Sequence, residues 1–113
     1  MRLTTEMWVK ALLRRVFGDG GFAAVERTGS AEAGAIFIRV RGREGDQSLL
    51  SPAPQSLFDT AKPSDRTFEI RLAACDGDAV DAVLERERNF DPDLWVVEIE
   101  TDDPERYLSV MPA

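Results

Sequence analysis

The 113-residue sequence has no histidine and only one cysteine, and each scarcity removes a class of chemistry. Without an imidazole there is no histidine general base and no Ser-His-Asp triad. One thiol cannot build a disulfide framework, and zinc sites need clustered Cys and His. Cys75 is flanked by Asp76 and Asp78, whose charges disfavour a thiolate, so it reads as a small hydrophobe at a strand end. A basic excess is also missing: 14 Lys and Arg stand against 21 Asp and Glu, for a net charge of −7. Phosphate neutralisation supplies much of the affinity of nucleic-acid binders, so no nucleic-acid partner is expected. No run approaches the roughly 20 apolar residues that cross a bilayer. Lys10, Arg14 and Arg15 interrupt the apolar stretch from Met7 to Phe17, unlike an export signal. A cytoplasmic protein with no membrane partner is expected, and no cofactor.

What is present suits one domain over residues 1–113, 43% apolar and long enough to bury a core without staples. Charge is uneven: residues 1–50 carry 8 basic and 6 acidic side chains, residues 51–113 carry 6 and 15. Thr4 or Thr5 can cap a helix ending at Gly18, with Trp8, Leu12 and Val16, and also Val9, Leu13 and Phe17, at four-residue spacing. Short strands follow at Phe22–Arg27 and Gln47–Ser51. Between them Ala35–Arg41 alternates most clearly, with Ile36, Ile38 and Val40 on one side and Phe37, Arg39 and Arg41 on the other. Pro52 and Pro54 should end the ladder, since proline lacks an amide donor. Thr67–Ala74 alternates again, although Phe68 and Leu72 also suit a helical turn. A helix from about Asp78 to Phe90 stops at Asp91-Pro92, and Leu94–Glu100 is a last strand burying Trp95, Val97 and Ile99. The expected fold class is α+β: a single, mostly antiparallel sheet of four to five strands with two helices on one face, in the order α-β-β-β-(β)-α-β. The second helix is placed to make one parallel crossover.

Several segments resemble a bacterial, largely alphaproteobacterial family of unknown function, numbered 1491. They are Met1-Arg2-Leu3-Thr4, the Trp8–Arg15 stretch, Ala33-Gly34-Ala35-Ile36-Phe37, Pro52-Ala53-Pro54-Gln55 and Phe90-Asp91-Pro92-Asp93-Leu94-Trp95. The resemblance spans nearly the whole chain, and its most specific piece is the Phe-Asp-Pro-Asp-Leu-Trp segment. It implies no activity, cofactor or catalytic residue.

Asp76, Asp78 and Glu87 fall at calcium-loop positions one, three and twelve. Val80 at position five has no side-chain oxygen and Asp81 stands where glycine is needed, so a helix cap is favoured. Asp93, Glu98 and Glu100 crowd one strand too closely for a nuclease metal site. Gly18-Asp19-Gly20-Gly21 follows a helix instead of opening one, which makes it a turn and no phosphate cradle. Two features invite a partner. Arg39, Arg41 and Arg43 form a basic row, extended by Arg14 and Arg15, that could meet an acidic surface, including that of a second copy; the competing reading is pairing with Glu26 or Glu98. Pro52, Pro54 and Gln55 lie on a stiff loop of the kind that carries binding residues, or that simply packs Leu57 and Phe58. A non-enzymatic binding or assembly module is therefore expected, acting on a protein partner or as a homodimer. The alternative is a small carboxylate- or magnesium-dependent enzyme resting on Asp59, Asp65, Asp91 and Asp93.

Overall fold

A computed structural model describes residues 3–54 and 66–112. Helix α1 spans Thr5–Gly18, followed by strands β1 (Phe22–Arg27), β2 (Ile36–Arg41), β3 (Gln47–Pro52) and β4 (Thr67–Cys75). Helix α2 (Gly77–Phe90) leads into β5 (Trp95–Glu100), a 3-10 turn at Pro104–Arg106 and the two-residue β6 (Ser109–Val110). The Thr4 hydroxyl accepts the Met7 amide and the Asp76 carboxylate accepts the Ala79 amide, so each helix begins at a side-chain cap. Asp76 is thus occupied as a cap and Asp78 sits in the first turn of α2.

The strands form one six-stranded sheet in the order β1-β5-β2-β3-β4-β6. Pairs β1·β5, β2·β3 and β3·β4 are antiparallel, whereas β2·β5 and β4·β6 are parallel. This corrects the expectation of a mostly antiparallel sheet of four to five strands: the sheet is mixed and has six. The parallel crossover through α2 is present, and it inserts β5 between β1 and β2. The composition of β5 explains the insertion. Trp95, Val97 and Ile99 face one way, Val96 faces the other, and all four are buried, so the strand needs cover on both sides.

The two helices lie on opposite faces, a second correction. Val9, Leu12 and Val16 of α1 pack on Ile36, Ile38, Val40, Val97 and Ile99. Val80, Val83 and Leu84 of α2 pack on Phe37, Leu49, Leu94 and Val96, which point the other way from the same strands. Side chains alternate along a strand, so apolar residues at successive positions require two covering layers. Thr67–Cys75 is strand, its Phe68 fully buried on the α1 face. Pro52 stays in the ladder as the last residue of β3, opposite Phe68, where no further amide is needed. Phe17, expected in the buried stripe of α1, is 54% exposed, because the stripe runs through Thr5, Val9, Leu12 and Val16.

The chain's end is clasped to the C-terminus of α1. The Tyr107 hydroxyl donates to Asp19 at 2.9 Å, Arg106 Nε lies 2.7 Å from the same carboxylate oxygen, and Arg15 donates to the Tyr107 carbonyl. The Tyr107 hydroxyl, followed by Arg106, holds the Asp19 carboxyl below its ordinary value of 3.8. The same hydrogen bond, with burial second, pushes the Tyr107 phenol above its ordinary 10.0. A depressed acid contributes stability that is complete above its unfolded value and is lost as pH falls through the folded one. A raised phenol contributes below its unfolded value and loses that contribution as pH rises through the folded one. The clasp should therefore open at both extremes and hold between them. An NMR titration of the Tyr107 ring protons should show one transition below 3.8 and another above 10.0. In Asp19→Asn the acid transition should vanish and the phenol should return toward its ordinary range.

Candidate functional site

The two arginines of β2, Arg39 and Arg41, each donate to carboxylates of the same molecule. Arg39 points toward α2 and its side chain is only 6% exposed. Its Nε donates to Glu26 at 2.8 Å, Nη1 to the Gln47 amide oxygen at 2.7 Å and Nη2 to Asp81 at 2.5 Å. Burial alone would push the Arg39 pKa down; the hydrogen bond it donates to Asp81 and the charge of Glu26 outweigh it and hold the group above its usual range. Gly77 makes the arrangement possible, because a Cβ there would lie 2.9 Å from the Gln47 amide nitrogen. Arg41 donates to Glu98 at 2.7 Å, across the parallel β2·β5 pair. Arg43 lies 3.7 Å from Asp102, both largely exposed, a pair that contributes little. Arg39 with Glu26 and Arg41 with Glu98 are the cross-strand pairs weighed against a docking row, and Asp81 is the partner the sequence did not suggest.

Of the proline loop, Pro52 lies in β3 and Pro54 is exposed just after it, while Ala53 donates its amide to the Thr67 carbonyl. Gln55, Asp59 and Asp65 lie outside the described residues. Asp91 accepts the Asp93 amide at 3.1 Å, so this pair shapes a turn. Among the described residues no three Cys, Asp or Glu side chains gather to hold a metal. Cys75 is a free, half-buried thiol that donates to the Gln47 carbonyl and packs beside the α2 core.

The segment Phe90–Trp95 is a structural clasp on the β1–β2 connection. Ser30 donates its amide to the Asp93 carbonyl at 2.9 Å, and Trp95 Nε1 donates to the Ser30 carbonyl at 2.7 Å. Gly29 permits this approach, since a Cβ there would sit 2.1 Å from the Asp93 oxygen.

Two exterior features went unnoticed in the sequence. The first is a cleft of about 340 Å³ between α2 and the end of β1. A bulge between Val25 and Arg27 disrupts the pairing of β1 with β5. It turns Glu26 and Arg27, neighbours in sequence, into the same cleft. The second is the outer edge of β1. This strand ends the sheet, and no described residue bonds its backbone from outside. Phe22 at its start is 43% exposed and meets Phe17 edge-on, with ring centroids 6.3 Å apart. At the opposite edge the two-residue β6 covers only Thr67 and Phe68, so Glu69–Cys75 of β4 has no strand beyond it either. Short edge strands are protected against pairing, and a six-residue edge beside exposed aromatics is not. The only sequence signal for this edge was the smallness of Ala23 and Ala24.

Fold and site together define a small three-layer α/β/α domain: a mixed six-stranded sheet between two helices, with an ion-paired arginine under one helix and open strand edges at β1 and along most of β4. The chain belongs to the family described as "Protein of unknown function (DUF1491)", which matches residues 3–109. It is similar to a protein from A. tumefaciens known by its solution structure, at 54% identity and a TM-score of 0.86, covering 100% of this chain and 98% of that one. A DUF1491 family protein from Caulobacter crescentus, known by a crystal structure, is 37% identical with a TM-score of 0.78, over 99% of this chain and 100% of that one. A search of curated proteins gave no match. No helix among the described residues is long and apolar enough to cross a membrane.

Proposed function

We propose that this chain is a non-enzymatic assembly module that pairs with a second copy of itself along β1. The observation carrying this reading is the open six-residue edge with the exposed Phe17–Phe22 pair at its start. Residues facing one another across an antiparallel pair must point to the same side of the sheet. Ala23 packs on the α1 face, so Phe22 and Ala24 point to the other side. A two-fold register centred on Ala24 keeps Ala23, Ala24 and Val25 in the regular ladder before the bulge. It sets Ala24 against Ala24 and Ala23 against Val25. The smallest side chain of the set then lies on the axis, where two copies come closest. Glu26 and Arg27 offset each other at the strand's end, so local charge does not oppose the approach. The net charge of −7 per chain does, which makes the association salt-dependent.

Sedimentation equilibrium tests the reading. A monomer–dimer equilibrium is expected, with the dimer fraction rising as salt screens the repulsion between chains. A single monomeric species at every salt concentration, up to about 1 mM protein, would exclude an interface worth even ~4 kcal/mol.

A further inference from the structure

A groove of about 350 Å³ lies far along the sheet from β1, between β4 and residues 101–105, on the face that α1 covers. No residue of α1 lines it. Its apolar surface comes from Ile70, 48% exposed, from exposed Ala73 and from half-buried Val110. Val40 and Leu50 also border it but are buried, so they support the lining without being reachable. Four exposed carboxylates stand around this surface, Asp46, Asp102, Asp103 and Glu105, and no Lys or Arg lines the groove. Asp102 accepts the Arg43 amide and lies against the Arg43 guanidinium, and Asp103 lies in the field of Arg106, which is held by Asp19. The side chains of Asp46 and Glu105 bond to no described residue.

A concave surface bearing charge of one sign over apolar walls concentrates the opposite charge. The arrangement selects among cations. Among the described residues no three carboxylates gather to hold a metal, so a compact divalent ion finds no ligand set. A second copy of the chain, at −7, is repelled. Separated carboxylates with an aliphatic surface between them match a chain whose ammonium groups are separated by methylenes, and the volume lies at the small end of ligand pockets. We propose that this groove binds a linear aliphatic polyamine, its methylenes on Ile70, Ala73 and Val110 and its ammonium groups on Asp46, Asp103 and Glu105.

The test follows the Ile70 methyls and the backbone amides of Ala73 and Glu105 by NMR while spermidine is added at constant ionic strength. The comparisons are hexaamminecobalt(III), a trication without methylenes, n-butylamine, a chain with one ammonium, and acetyl-trilysine amide, a peptide trication. Spermidine should shift these resonances saturably, with half-saturation at about 1 mM or below. Hexaamminecobalt(III) should bind about tenfold more weakly, gaining nothing from Ile70, and n-butylamine about tenfold more weakly, reaching one carboxylate. Ile70→Thr and Glu105→Gln, both at exposed positions, should each weaken spermidine about threefold while amides outside the groove stay in place. No saturable shift up to about 50 mM spermidine, either simpler cation binding as tightly as spermidine, or either variant binding like the parent would overturn the proposal. Tighter binding of trilysine would overturn it in favour of a protein partner. Sedimentation of Ile70→Thr separates this reading from the edge pairing, because losing the polyamine should leave self-association along β1 intact.

Discussion

Converting Glu26 to Gln and Asp81 to Asn together should lower the free energy of unfolding by about 3 kcal/mol or more, because it strands the Arg39 cation beneath α2. Arginine does not deprotonate to escape burial, and its side chain is only 6% exposed, so water cannot replace the lost carboxylates. The reverse change should be milder. In Arg39→Met the orphaned acids can turn to solvent, since Asp81 is 64% exposed and Glu26 29%. Only Gln47, nearly buried, loses a donor it cannot replace. A cost of about 1–2 kcal/mol is expected for Arg39→Met. Urea denaturation of both variants decides the matter. If Arg39→Met proved the more damaging, the desolvated cation would not be the costly member of this cluster, and the account of Arg39 would fail.

Charge placed at Ala24 should control assembly with a comparably large effect. Ala24→Lys sets two ammonium groups against each other across the proposed two-fold axis, and Ala24→Glu does the same with carboxylates. Like charges directly opposite in a sheet are destabilising and opposite charges stabilising, by up to about 1 kcal/mol each. Each variant alone should therefore dissociate, whereas an equimolar mixture should associate as a mixed pair. The swing between the like and unlike pairings is about 2 kcal/mol, or roughly thirtyfold in the dissociation constant. The substitutions lie on an edge strand at a half-exposed position, so the urea midpoint of each variant should stay close to that of the parent. A mixture no more associated than its components would remove β1 from the interface.

Local structure was legible wherever neighbouring residues determine it. Thr4 and Gly18 bracket α1, the alternation of Ile36, Ile38 and Val40 marks β2, and Asp91-Pro92 ends α2. The layering was also written in the chain, in Phe37, Leu49, Leu94 and Val96, all apolar and all on the side opposite the Ile36 stripe. Arg39 and Arg41 on that side argued for solvent, and a one-faced arrangement followed. That inference failed because an arginine's environment depends on distant partners: Glu26 is 13 residues away and Asp81 is 42. Strand order was not legible for a related reason. The insertion of β5 between β1 and β2 depends on pairings that span most of the chain. The β1 bulge has no residue signature, so the cleft it shapes could not be read from composition or spacing.

The central claim, that two copies meet along β1, is tested most directly by an isotope-filtered NOESY experiment on an equimolar mixture of labelled and unlabelled chains. The account predicts intermolecular contacts between the Ala23 methyl of one copy and the Val25 methyls of the other, with Ala24 facing its own counterpart. Intermolecular contacts confined to another face, or none from a sample that sedimentation shows to be dimeric, would contradict it.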